Sequence, residues 1–409
     1  MADVIYLLGA GFNYGVVDLG RGRRPPLARN FFQVLLQDGF FEQRLDAIRR
    51  NIYVDILLNE IRRHWHLDLL ALKTEPFDIE ECLTLFESQL LDESDPDRSL
   101  ALRRATFALR NLILMYLGEL SFDGYTPTAR QFGAEVLAAQ ADVLTFNYDT
   151  LAEEAIGFAS RVGDKPSPAT RRQGPTSHQM TSDDDLDASH LSWKRPLAYG
   201  FEFDEVTMPI SGVSEYIEGP RYYSHPNNRL YERCRVLKLH GSIDWLRYTD
   251  SRSYPGPESN SPPPKGVVLA SHSRYWMGES PTMNTWLMEP VVIPPQLYKT
   301  FRQDPFPAVW STALRSLEEC KTLVVIGYSF PPTDFRTRRL FLEAFRDHAL
   351  ENLVVVNPDP SVAGIVRQLC HYSGPVVTCH DLRSFYGLPA SWFDLLPATD
   401  QIQDQGSRE

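Results

Sequence analysis

The chain has 409 residues, enough for one large domain carrying an insertion or for two domains. Its 43% hydrophobic and 23% charged residues are those of an ordinary globular protein. The formal net charge of -12 opposes a nucleic-acid backbone, so direct nucleic-acid binding is not expected. The short runs Arg21-Gly22-Arg23-Arg24, Arg171-Arg172 and Arg336-Thr337-Arg338-Arg339 read as solvated surface or contacts to acidic neighbours.

The cysteines (Cys82, Cys234, Cys320, Cys370 and Cys379) are scattered, and none belongs to a Cys-x-x-Cys pair. That spacing suggests neither a zinc ribbon nor a disulfide framework and fits free thiols in a reducing compartment. No apolar run approaches the roughly 20 residues of a membrane helix, and the first residues carry no signal-peptide pattern. A cytoplasmic protein without a membrane segment is expected.

Val4 to Leu8 is an apolar run entering Gly9-Ala10-Gly11, as a buried parallel strand enters a phosphate-binding turn. The glycines continue to Gly15, one place later than the dehydrogenase pattern, and no acidic residue closes a second strand about 20 residues on. A nicotinamide dehydrogenase is therefore disfavoured.

Leu27 to Leu36 reads as a helix preceded by Pro25-Pro26. Leu45, Ile48, Ile52, Ile56, Leu57 and Ile61 recur at helical spacing within one amphipathic helix drawn from 45 to 72. Further helices are predicted at 78–91, 98–120 and 128–139. Residues 27–140 thus form an expected helical subdomain inserted after the first strand of a single α/β domain covering 1–409.

Ala141 to Phe146 returns to strand and ends in Asn147-Tyr148-Asp149, with helix from Thr150 to Phe158. Residues 160–190 and 248–265 are polar, proline-bearing and read as surface loops. Val236 to Leu239 is a strand leading into His240-Gly241-Ser242, and short strand-like runs follow at Val267 to Ala270 and Pro290 to Ile293. The last third alternates helix (308–317), strand (322–326, ending in Gly327-Tyr328-Ser329), helix (334–346), strand (353–356, ending in Asn357), helix (361–370) and strand (375–379). Six short β-branched strands, most followed by helix, predict a Rossmann-like doubly wound parallel sheet with a large helical insertion after its first strand.

The polar clusters at Gly9 to Asn13, Asn147 to Asp149, His240 to Ser242, Gly327 to Ser329 and Asn357 each follow a predicted strand. In such a fold they converge on one crevice beyond the strand ends. Each has a local alternative: Asp149 as a helix cap, Ser329 as a turn residue, His240 as a satisfied buried histidine. The set holds no serine-nucleophile elbow, no HExxH and no Walker loop. An amide (Asn147), a carboxylate (Asp149), an imidazole (His240) and a glycine turn suit cleavage of a glycosidic bond through an oxocarbenium-like state.

Gly9-Ala10-Gly11, Thr145-Phe146-Asn147-Tyr148-Asp149, Leu239-His240-Gly241, Gly327-Tyr328-Ser329 and Val356-Asn357-Pro358 come in the order of the sirtuin-like domains of bacteria. The chain resembles that family from residue 3 to about 380, and its Asn-Tyr-Asp resembles the antiphage defence branch. Ile293-Pro294-Pro295, with Lys299 soon after, also looks like that branch.

The resemblance implies an NAD-binding domain that cleaves the nicotinamide–ribose bond as an abortive-infection effector. By that analogy Gly9, Ala10 and Gly11 approach the pyrophosphate, Asn13 stands at the family's serine position, and Asn147 holds the ribose or attacking water. Asp149 would bind the nicotinamide carboxamide, His240 would act as general base, and Gly327, Ser329 and Asn357 would hold the adenosine half. The four-cysteine zinc module of sirtuin deacetylases is missing, so no zinc is expected and hydrolysis by water is favoured. A homo-oligomer is expected, gated by a partner from the same operon, with a HerA-type ATPase or a short Argonaute as analogies. The competing readings are a non-catalytic NAD or ADP-ribose binding module that regulates a partner, and an NAD-dependent protein deacylase or ADP-ribosyltransferase.

Overall fold

The computed structural model describes residues 2–17, 24–37, 53–119, 127–163, 199–201, 205–210, 213–218, 234–249, 267–270, 282–283, 286–293, 301–332 and 334–387. Most of the loops expected at 160–190 and 248–265, together with Pro294, Pro295 and Lys299, lie outside these residues.

Strand β1 (Val4–Leu8) is buried along its whole length, as a strand covered on both faces requires, and turns directly into α1 (Ala10–Val16). Before the next strand come α2 (Phe31–Gln37), α3 (Val54–Trp65), α4 (Leu69–Thr74), α5 (Ile79–Asp92), α6 (Pro96–Glu119) and α7 (Pro127–Ala138). Strand β2 (Asp142–Thr145) then leads to α8 (Leu151–Gly163). The middle of the chain carries β3 (Glu205–Ile210), β4 (Val213–Glu218), β5 (Val236–Lys238), β6 (Gly241–Thr249), β7 (Val268–Ala270), β8 (Thr282–Met283) and β9 (Trp286–Val292). The last third alternates α9 (Phe306–Glu319), β10 (Thr322–Ile326), α10 (Phe335–Ala344), β11 (Asn352–Val356), α11 (Ser361–Leu369), β12 (Val376–Cys379) and α12 (Leu382–Tyr386).

Six of these strands form one sheet in the order β12-β11-β10-β1-β2-β5, and every pairing in it is parallel. The chain runs outward from β1 through β2 to β5, then returns to the other flank of β1 and runs outward again through β10, β11 and β12. This is the doubly wound, Rossmann-like order the sequence predicts, and its direction reverses between β1 and β10. A crevice opens beyond the carboxyl ends of the strands at such a reversal. Leu8, the last residue of β1, is in register with Ile326 on one side and Thr145 on the other, so the strand exits are level.

A second six-stranded sheet, β4-β3-β7-β6-β9-β8, is antiparallel apart from the β3–β7 pairing. The sequence reading contains only two of its strands, drawn at Val267 to Ala270 and Pro290 to Ile293. The second of these starts earlier, at Trp286. Strand β6 escapes a pattern search because Ser242, Asp244 and Arg247 interrupt its apolar residues.

The helix expected over 45–72 is two helices within its described part. His66 adopts a left-handed conformation (φ 58°) that ends α3, and the Asp68 carboxylate then accepts the Ala71 N–H at 2.9 Å to start α4. Helices α2 to α6 bury an apolar core of their own around Phe31, Leu57, Ile61, Phe86 and Leu109. The core of the parallel sheet gathers Ile5, Leu7, Val143, Leu237, Val324 and Val354.

Candidate functional site

The reversal point is built from backbone. Gly9 donates its N–H to the Ile326 carbonyl and Gly11 to the Gly327 carbonyl, both at 3.0 Å. Gly327 has φ +64°, and a Cβ on it would lie 2.4 Å from the Gly11 backbone; one on Gly9 would lie 2.6 Å from the Gly327 oxygen. The two glycine turns therefore press on each other, and these two N–H groups are taken by the neighbouring turn. Ala10, between them, is exposed.

The exit of β2 is tied to the same turn by side chains. Asn147 donates from Nδ2 to the Gly9 carbonyl and to Asn13 Oδ1, each at 3.0 Å. Asn13 is buried on α1 and donates from its own Nδ2 to Asp149 Oδ2 at 2.5 Å. The other oxygen of Asp149 accepts the Leu151 N–H at 3.0 Å, an Asx turn that opens α8. Asp149 is thus buried with both carboxylate oxygens bonded to protein, whereas Asn147 is half-buried with its Oδ1 opposite the two engaged protons.

His240 leaves β5 into a wall of rings. Phe146 lies 5.0 Å from it, Phe301 6.1 Å and Tyr148 6.4 Å, centroid to centroid. Its Nε2 stands 3.8 Å from Asp334 Oδ2, and that carboxylate oxygen accepts the Tyr328 hydroxyl at 2.8 Å. Tyr328 stacks on Phe146 at 4.1 Å. Behind the wall the Arg336 guanidinium lies 4.3 Å over Phe301 and 4.7 Å over Trp310, and burial lowers its pKa. The Trp310 indole donates to the Leu239 carbonyl at 2.9 Å, holding the turn before His240. The hydroxyls of Tyr148 and Tyr328 are pushed well up by burial, and the nearby acids Asp334 and Glu80 add to the shift. Both are therefore neutral donors at physiological pH, Tyr148 to the Ile293 carbonyl at 2.6 Å.

The fold thus brings Gly9, Gly11, Asn13, Asn147, Asp149 and Gly327 together at the turns, and packs His240 on Phe146 and Tyr148, the chain neighbours of Asn147. Ser329 is exposed on the β10 exit. Asn357 is placed on the β11 exit, where its Nδ2 donates to the Tyr328 carbonyl at 3.3 Å and its Oδ1 accepts the Asp359 N–H at 3.0 Å.

Four further residues stand out to which the sequence assigns no role at the site. Asp334 starts a predicted helix, Arg336 falls in a run read as solvated surface, and Tyr328 is quoted only as the middle of Gly327-Tyr328-Ser329. Lys238 carried the one available signal, a charge inside an otherwise apolar strand. Among the described residues no group of three or more histidine, cysteine or acidic side chains is placed to hold a metal, and all five cysteines are buried and unpaired with one another.

No protein-family model matches the sequence, and no curated protein matches it. Among solved structures the chain is similar to a Sir2 homologue in complex with NAD, at 12% identity and a TM-score of 0.33, over 90% of this chain and 88% of that one. It is also similar to a histidine-to-asparagine mutant of a Sir2 homologue with ADP-ribose, at 15% identity and a TM-score of 0.28, over 70% and 81% of the two chains. A serine-to-alanine mutant of a Sir2 homologue with ADP-ribose gives 13% identity and a TM-score of 0.27, over 75% and 85%. These are distant likenesses, and the Rossmann-like assignment rests on the strand order.

Proposed function

We propose that the chain is an NAD glycohydrolase that cleaves the nicotinamide–ribose bond and acts as an antiphage abortive-infection effector. One observation carries the reading. The two rings that flank Asn147 in the chain, Phe146 and Tyr148, both pack on His240, which sets the exits of β2 and β5 side by side and supports a shared role for the amide and the imidazole. The sequence resemblance to bacterial sirtuin-like domains supplies the substrate.

In this reading the Asn147 Oδ1, opposite the two bonds to Gly9 and Asn13, accepts from the attacking water or a ribose hydroxyl. Water adds to the anomeric carbon as the bond to nicotinamide breaks. The water proton passes to His240, and neutral nicotinamide departs with the bonding pair that had joined it to ribose. Asp334 steadies the imidazolium that forms. Ala10 and Ser329, exposed on either side of the glycine contact, face the pyrophosphate and adenosine ends, with Asn357 beyond. Residues 27–140 are proposed as the assembly surface for a homo-oligomer or operon partner, from the number of amphipathic helices they carry.

Nicotinamide release by the protein with its genomic neighbours, with and without phage, tests the proposal. Equal amounts of nicotinamide and ADP-ribose, lost in Asn147→Ala, are expected. ADP-ribose binding without NAD loss overturns it in favour of the regulatory binding module.

A further inference from the structure

Lys238 and Glu153 form an ion pair at 2.9 Å with 0% and 1% of their side chains exposed. Lys238 closes β5, a strand otherwise made of buried apolar residues, where Leu or Met would fit the surroundings. Removing an ammonium from water is strongly unfavourable unless it is neutralised and fully bonded. The Lys238 Nζ also donates to the Asp149 carbonyl in a short hydrogen bond. Glu153, one helical turn beyond Asp149 on α8, supplies the compensating charge. Burial pushes its carboxyl up, and Lys238 opposes that shift.

The positions matter more than the pair. Asp149 lies two residues after Asn147, and Lys238 two residues before His240. One buried cation therefore grips the loop of the amide from the strand that carries the imidazole. Three further bonds run between the same two segments: Leu239 N–H to the Thr145 carbonyl at 2.9 Å, Ile243 N–H to the Tyr148 carbonyl at 2.9 Å, and Ser242 Oγ to the same carbonyl at 3.4 Å. The lysine bond lies one residue beyond the two to Tyr148, where the loop enters α8.

We infer that Lys238 and Glu153 are positioning residues that set the separation of Asn147 and His240. The inference rests on the proposed hydrolase reading for its effect on rate, but its structural half stands alone. An error of 1 Å in such a separation costs about a hundredfold in rate.

The test uses the full chain in two double variants. Lys238→Met with Glu153→Leu replaces the pair by apolar groups of similar size, a change that often preserves or raises stability. Lys238→Gln with Glu153→Gln keeps a donor for the Asp149 carbonyl without either charge. The readouts are the melting temperature, kcat and KM for NAD, and the Trp310 indole N–H resonance, assigned with Trp310→Phe. That indole bonds the Leu239 carbonyl and so reports movement of the His240 turn.

The apolar pair is expected to keep its melting temperature, to displace the Trp310 resonance and to lose about tenfold or more in kcat with a smaller change in KM. The glutamine pair is expected to recover most of both. A parental kcat and resonance in the apolar pair overturn the inference. If the apolar pair does not fold, a third double variant, Lys238→Met with Glu153→Gln, decides: parental kcat and resonance overturn the inference, and lost kcat with a displaced resonance supports it. If the parent itself releases no nicotinamide, the hydrolase reading fails and the resonance alone decides the structural half.

Discussion

Gly11 and Gly327 meet backbone to backbone: the Cβ that a side chain would place on Gly327 falls 2.4 Å from Gly11. The contact joins β1 to β10 where the sheet changes direction. Gly327→Ala must therefore combine an unfavourable left-handed backbone with an impossible contact, and is expected to destabilise by about 2–5 kcal/mol. Urea unfolding reads the cost. Gly364, exposed within α11 with nothing within 4 Å of its would-be Cβ, is the control. Gly364→Ala should stabilise by about 0.5–1 kcal/mol.

Asn147→Ala and His240→Ala should each lower NAD turnover by about a hundredfold or more. Asn147→Ala also removes the bonds to Gly9 and Asn13, at about 1 kcal/mol each. Circular dichroism and melting should show a folded protein in both cases. A variant that keeps full turnover removes its residue from the catalytic assignment.

Asp334→Asn preserves an acceptor for the Tyr328 hydroxyl while removing the charge beside His240. A kcat reduced about tenfold or more, with KM changed less, is expected if the carboxylate steadies the protonated ring. Tyr328→Phe, which leaves that charge in place, should cost less in kcat. Equal losses in the two variants would assign Asp334 to packing instead.

Glu135 on α7 is pushed up to about 7 by burial, against weaker opposing bonds from Gln131 and the Tyr6 hydroxyl, and Tyr386 of α12 lies nearby. Its folded pKa exceeds the unfolded one, so the folded state holds the proton more tightly. Stability is then greatest at low pH for this group and falls as pH rises from about 4.5 to about 7. Allowing for its partial exposure, the fall is about 1–2 kcal/mol. Glu135→Gln should remove that slope and be the more stable protein at pH 8, measured by denaturant melts across the pH range.

The parallel sheet was legible because a strand buried on both faces is an uninterrupted apolar run, as in Val4 to Leu8 and Thr322 to Ile326, and each run ended in a polar turn. The antiparallel sheet was legible only at Val267 to Ala270 and Pro290 to Ile293, because Asp244 and Arg247 lie inside β6 and Glu289 interrupts β9. The same contrast holds at the site. Glycine turns and residues just past a strand, such as Asn147 and His240, announce themselves by position. Asp334 looks like any helix cap until the fold sets it beside His240, 94 positions earlier in the chain. The left-handed His66 ends a helix with no glycine or proline to mark it.

The ladder of the parallel sheet continues past the strands into the turns. Phe146 bonds Leu8, Gly9 bonds Ile326, Gly327 bonds Val356, Leu239 bonds Thr145 and Asn357 bonds Cys379, all through backbone groups. Amide hydrogens of the crevice should then exchange with deuterated water as slowly as those of the strands beneath them. Little of a ligand's binding free energy would go into ordering this floor, so differences in affinity between ligands would reflect the side chains that stand on it.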